Sequence, residues 1–271
     1  MLQTYIDAVK CVDTSLLEAD KLSYAVLVNI LGGTFTLQKI ITDHKRIIIA
    51  LSAPVYPAWI WAPDDVTEEE LDSIYQVIKK EFAPLKDYRF NTKYSIATYL
   101  IDRINEEFGL DYHIKVNMVT YDCPNPKPPA KEVDGHMECL AEEDIELAAR
   151  LVREASIAIG DVVIPEDKSV ELAKEQLERQ VLYIWRDAKG KPVAFCDRHN
   201  EKHYTKISQC YTVEEARGNG YAGRLIYELC KESVESGHLP MLYADGDYAP
   251  SNRCYQNIGF ELKGKIAMIG A

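Results

Sequence analysis

Four of the six residues from Pro124 to Pro129 are proline. Proline fixes φ and lacks a backbone N–H, so this stretch can be neither helix interior nor central strand. Cys123–Lys131 reads instead as an extended spacer. The 271 residues leave room for a domain on each side of it. The expected organisation is one domain over residues 1–122, a proline-rich linker over 123–134 and a second domain over 135–271.

The first half alternates helix and strand signals. Ser15 to Ile30 has helical periodicity and stops at Gly32-Gly33. Lys45 to Leu51 carries the β-branched run of a buried strand. Thr67 and Glu70 form the two ends of a capping box, ahead of a helix with Leu71, Ile74, Ile78 and Phe82 on one face. Ser95 to Phe108 reads as a further helix ended by Gly109, and Tyr112 to Tyr121 as a strand. No catalytic signature falls in this half. In the second half, strands are expected near residues 136–140, 181–186, 193–198, 206–212, 241–244 and 260–269. Helices are expected over 142–158, 170–177, 220–236 and 251–258. The class is α/β, with a mixed sheet in an α+β sense. No repeat between the halves is legible residue by residue.

The formal net charge of −12 argues against nucleic acid and anionic membranes, whose phosphates need clustered Lys and Arg. It favours encounter with cationic partners such as amines, although simple solubility is the plainer reading of the same charge. The seven cysteines are scattered, odd in number and without a C-x-x-C pair. That pattern suits free thiols in a reducing compartment better than zinc or a disulfide framework. The first ten residues lack a signal-peptide pattern, and Ile47 to Trp61 is too short and too proline-broken to span a bilayer. A cytoplasmic protein is expected.

The stretch from Lys206 to Leu225 reads as strand, tight glycine turn and amphipathic helix, the last through Ala222, Leu225, Ile226, Leu229 and Val234. A helix start exposes unpaired N–H groups and the positive end of the helix dipole, and glycines let a phosphate approach closely. The same glycines would serve a plain turn that needs positive φ. Gly218-Asn219-Gly220-Tyr221-Ala222-Gly223 formally matches the dinucleotide fingerprint G-x-G-x-x-G. Only 48 residues follow Gly223, too few for the parallel strands of a dinucleotide fold.

Arg217-Gly218-Asn219-Gly220-Tyr221-Ala222 resembles the R-x-x-G-x-A pyrophosphate loop of the GNAT superfamily of acetyl-CoA-dependent N-acyltransferases. Tyr211-Thr212 and the Gly-Tyr-Ala of the loop are similar to a bacterial branch. That branch has prolines where this chain has Val213 and Glu214. A second block, Leu242-Tyr243-Ala244-Asp245 followed by Pro250 to Phe260, resembles the superfamily's Ser-Asn-x-x-Tyr-x-x-x-Gly-Phe ending. Tyr248 stands where many relatives have Asn. The resemblance covers about residues 136–271. Ala53-Pro54-Val55-Tyr56-Pro57 resembles a Pro-x-Tyr-Pro segment in two-domain relatives, so the first half is expected to be an α/β domain and a possible degenerate copy.

The resemblance implies acetyl-CoA as cofactor, CoA as product and an amine-bearing acceptor. It implies that backbone groups of Cys210, Tyr211 and Thr212 line the pantetheine arm. It implies that the loop amides of Gly218, Asn219, Gly220, Tyr221, Ala222 and Gly223 hold the pyrophosphate, with Arg217 either adding charge there or standing as a solvated turn residue. Asn252 binds cofactor or caps its helix. Tyr255 is placed like the superfamily's general acid, although a core tyrosine beside Phe260 would look the same. No metal is implied. No general base is legible: Glu214 and Glu215 read as solvated turn carboxylates, while Asp197, His199 and His203 lie near the hairpin. A non-catalytic CoA-sensing module would carry the same loop. The acceptor's identity and the oligomeric state are not legible.

Overall fold

In the computed structural model, the described residues are 2–6, 12–33, 37–158, 164–202 and 204–271. They divide into two compact units: residues 1–120, 244–248 and 263–271 form the first, and residues 121–243 and 249–262 the second.

The first unit opens with β1 (Gln3–Ile6), α1 (Ala25–Gly32), β2 (Lys39–Thr42), β3 (Ile48–Leu51) and β4 (Ala58–Trp61). It continues through α2 (Glu68–Glu81), β5 (Phe90–Thr92) and α3 (Tyr94–Phe108) into β6 (His113–Asp122), whose last two residues belong to the second unit. Strands β1 to β4 pair in antiparallel succession, and β4 then pairs parallel with β5 across the α2 crossover. Under the strands lies a core of Ile49, Ile60, Ile74, Ile78, Phe90 and Leu100, with their neighbours.

The second unit repeats this order with different residues. It runs β7 (His136–Cys139), α4 (Ile145–Ala158), α5 (Glu166–Glu178), β8 (Leu182–Arg186), β9 (Pro192–Asn200), β10 (Tyr204–Thr212), α6 (Tyr221–Glu235), β11 (Leu239–Asp245), whose last two residues belong to the first unit, and α7 (Ala249–Ile258). Strands β7 to β10 pair antiparallel, and β10 pairs parallel with β11 across α6. The last strand, β12 (Glu261–Gly270), follows α7 as β6 follows α3. Its residues Ala267–Ile269 pair antiparallel with Thr92–Phe90 of β5, inside the first unit. The architecture is α/β with a mixed sheet, as the residue pattern implies.

Local departures have local causes. The helix expected over Ser15–Ile30 is a 3-10 turn at Thr14–Asp20, started by Asp13 accepting from the Ser15 amide, and then the short α1. The break lies near two side-chain attachments. Asp20 accepts from Trp61 Nε1 and pairs with Lys93 at 2.7 Å, and Tyr24 donates to the Ile60 carbonyl. The run at Lys45 becomes strand only from Ile48, because Asp43 Oδ1 accepts the amides of Lys45, Arg46 and Ile47. Val234, expected on the apolar face of α6, is exposed; Cys230 and Ser233 turn inward instead, with the Ser233 hydroxyl satisfied by the Leu229 carbonyl. The proline-rich segment carries no helix or strand, and it packs along the second unit. The amide of Cys123 donates to the Pro240 carbonyl and that of Lys127 to the Ile258 carbonyl.

Candidate active site

Among the described residues of the second unit, β10 and β11 pair over Tyr204–Lys206 and Leu239–Met241. Beyond that point, among the described residues of this unit, β10 runs on to Thr212 and β11 to Tyr243 without pairing to each other. The backbone of Cys210, Tyr211 and Thr212 lies on this splayed part. On the other edge β10 remains paired with β9, Tyr211 opposite Phe195 and Thr212 opposite Ala194.

The chain then turns through a short 3-10 segment, Glu214–Ala216, and enters α6. Gly218 and Gly220 have φ of 76° and 95°, a left-handed region that side chains disfavour. No side chain caps α6, and its first turn holds no acidic residue. The first helical hydrogen bond runs from the Arg224 amide to the Gly220 carbonyl at 3.0 Å. The amides of Tyr221, Ala222 and Gly223 precede it, so they point out of the helix start as donors. This is the donor set that a diphosphate requires, and the positive end of the helix dipole adds to it.

The loop is braced from two sides. Arg217 Nε donates to the Thr212 carbonyl at 3.2 Å, and its guanidinium lies over the Tyr211 ring. Asn219 Nδ2 donates to the Ala216 carbonyl. On the other side runs the proline-rich segment. Lys131 Nζ donates to the Gly218 carbonyl at 3.2 Å, and Tyr221 donates its hydroxyl to Asp134 at 3.0 Å. A Cβ at Gly220 would stand 3.3 Å from Val133 Cγ1 and 3.4 Å from Lys131 Cδ. Glycine is therefore needed at 220 for its φ and for close packing of this segment. Lys131 is the functional candidate that sequence reasoning missed: it comes from a spacer-like stretch, and only the fold brings its charge to the loop.

Tyr255 stands on α7. Its ring contacts Phe260 at 5.8 Å and Tyr121 at 6.3 Å between centroids. Burial pushes its phenol pKa well above the ordinary tyrosine range, and the thiols of Cys210, Cys196 and Cys254 push the same way; a hydrogen bond with Ser251 opposes them. Tyr255 thus remains a protonated donor well beyond neutral pH. Cys254 Sγ lies 3.4 Å from where a Cβ of Gly223 would be, which ties α7 to the start of α6. The structure therefore gathers β10, the glycine loop and Tyr255 into one region. Asn252 is buried on α7.

The base candidates fare differently. Asp197 is buried and accepts from Gln176 Nε2 at 3.1 and 3.2 Å, while His199 lies 3.7 Å from it. Side chains alternate along β9, so Asp197 faces away from the side on which Cys196 meets β10. Lys206, opposite His199, has its pKa lowered by burial. Glu215 pairs with Lys191 at 2.9 Å at the surface. His203 lies outside the described residues.

Residues 186–268 match the family model described as FR47-like protein. No curated protein matches the chain. Solved structures match along nearly its whole length. A GCN5-related N-acetyltransferase from Sphaerobacter thermophilus superposes with a TM-score of 0.68 at 12% identity, covering 99% of this chain and 94% of that one. One from Kribbella flavida gives 0.61 at 15% identity, covering 94% of each. The chain has the GNAT fold. A tandem GNAT protein from the clavulanic acid biosynthesis pathway gives 0.54 at 12% identity, over 99% of this chain and 97% of that one. Two GNAT-like successions of elements thus explain the repeated order that no residue pattern announces. Among the described residues no group of His, Cys, Asp and Glu could hold a metal, and no helix is long and apolar enough to cross a membrane.

Proposed function

We propose that the chain is an N-acetyltransferase that takes its acetyl group from acetyl-CoA and passes it to an amine. The observation that carries this reading is the uncapped start of α6 beside a splayed β10, on the GNAT fold. Acetyl-CoA supplies the activated thioester. The amides from Gly218 to Gly223 hold its diphosphate, with Arg217 and Lys131 adding positive charge. Backbone groups of Cys210, Tyr211 and Thr212 line the arm that carries the thioester, and Asn252 supports the same wall from α7. Tyr255 holds the proton that the departing sulfur takes. The burial that keeps this proton on the phenol also disfavours a free thiolate, so the transfer is directed towards sulfur. The amine attacks directly, with no acyl group passed to a cysteine. We assign the transfer to residues 135–271 and place it in the cytoplasm.

Tyr255→Phe keeps the ring and removes the proton. The expected result is a fall in kcat of about tenfold to a thousandfold with acetyl-CoA affinity unchanged. Wild-type turnover in the variant would remove the acid role. Binding of acetyl-CoA without turnover of any amine by the native chain would favour a sensing module.

A further inference from the structure

The proposed transfer uses no cysteine thiol of the chain, yet two cysteines meet across β9 and β10. Cys196 Sγ and Cys210 Sγ are 2.7 Å apart, and neither is bridged. A disulfide bond is about 2.03–2.05 Å long, so about 0.7 Å of closure separates the pair from a covalent bond.

Their meeting is produced by a bulge. Asp197 of β9 faces Ser208, and Phe195 faces Tyr211, so Cys196 alone faces both Gln209 and Cys210. Gln209 takes up the extra residue with φ of 50°, a left-handed value unusual for a residue with a side chain. That turn brings Cys210 against Cys196. The two thiols differ in access. Cys196 is fully enclosed, and burial raises its pKa well above the usual thiol value, whereas Cys210 is partly exposed. Cys123 and Cys230 also lie together, but both are fully buried, so a reagent reaches neither.

We propose that Cys196 and Cys210 are a dithiol modification site for low-molecular-weight disulfides. The Cys210 thiolate attacks one sulfur of such a disulfide, forms a mixed disulfide and releases the first small thiolate. Cys196 then attacks the Cys210 sulfur, and its proton passes to the departing small thiolate. The protein disulfide forms, and the second small thiol leaves. Two protein thiols are oxidised and one small disulfide is reduced to two thiols. The bond fastens the bulge to β9, next to Tyr211 and Thr212. Resting on the proposed function, the consequence is weaker binding of acetyl-CoA by the oxidised chain.

The test equilibrates the full chain in mixtures of reduced and oxidised glutathione, quenches with acid, denatures the chain, alkylates the remaining thiols and maps the peptides without reduction. The expected product links Cys196 to Cys210, with the intact mass lower by two hydrogens. Cys196→Ser is expected to stop as a glutathione adduct on Cys210. Both wild-type cysteines remaining alkylatable throughout would overturn the proposal, as would a stable adduct on wild-type Cys210 with no cross-link. These readouts need no enzymatic activity. Calorimetry on the two forms tests the consequence: the oxidised chain is expected to bind acetyl-CoA at least about tenfold more weakly, with recovery on reduction. Equal affinity of both forms would refute the coupling. Failure of the reduced chain to bind would count against the proposed function and leave the cross-link result standing.

Discussion

The starts of α2 and α6 occupy the same place in two successions of the same elements, and they are chemically opposite. Each follows the fourth strand of its unit and opens a parallel crossover. At α2, Thr67 accepts the Glu70 amide, and the Glu70 carboxylate accepts the Thr67 amide. Glu68, Glu69 and Glu70 fill the first turn. That turn satisfies itself and repels anions. At α6 a glycine stands in the cap position, no side chain closes the amides and no acid follows. The strands differ too: β4 and β5 are short, and β5 ends at Thr92, one residue past its last match with β4. No long splayed edge comparable to that of β10 results. The same order of elements supports a diphosphate site only where side chains leave the helix start open.

Gly220→Val closes the open start of α6. It puts a branched side chain at a left-handed φ and presses on Val133 and Lys131. Acetyl-CoA affinity is expected to fall on the order of a hundredfold, about 2.7 kcal/mol. Calorimetry on the variant, with circular dichroism to show it folded, decides this; unchanged affinity would mean that the cofactor sits elsewhere. Thr67→Ala is the converse change. It removes the α2 cap and is expected to cost about 1 kcal/mol of stability in denaturant unfolding, with acetyl-CoA affinity unaltered. Lys131→Ala is the smaller test on the α6 side. A loss of about threefold in acetyl-CoA affinity, shrinking as salt is added, is expected for an exposed cation near phosphate.

Buried acids beside the α6 start also make stability depend on pH. Burial raises the Tyr255 pKa, and it pushes the Cys254 thiol up to about 11. Above the unfolded values the folded chain holds more protons than the unfolded one, so stability present below about pH 8.5 declines as pH rises towards the folded values. Thermal unfolding across pH 8 to 11 is expected to show that decline, weaker at its upper end in Tyr255→Phe. A pH-independent melting temperature over this range would contradict the burial assigned to α7.

Much of this was legible in residues. The capping box at Thr67 and Glu70, the stop at Gly109 and the positive-φ glycines at 218 and 220 are local signals, and local geometry honours them. What was not legible depends on partners distant in sequence. The break in the helix expected over Ser15–Ile30 lies beside Asp20 and Tyr24, whose side chains reach Trp61, Lys93 and Ile60. Lys131 gains a role only because the proline-rich segment runs past α6. The pairing of Cys196 with Cys210 needs a bulge at Gln209, and nothing in the identity of that residue announces one. The repeat of elements is invisible to residue comparison because a core position needs an apolar side chain of suitable volume and no particular identity.

Whether acetyl-CoA binds at the start of α6 and nowhere else is read from its stoichiometry on the full chain, measured by isothermal titration with the wild type and Gly220→Val side by side. One site per wild-type chain is expected, with its loss in the variant. Two equivalent sites per chain, or one site that survives Gly220→Val undiminished, would contradict that expectation.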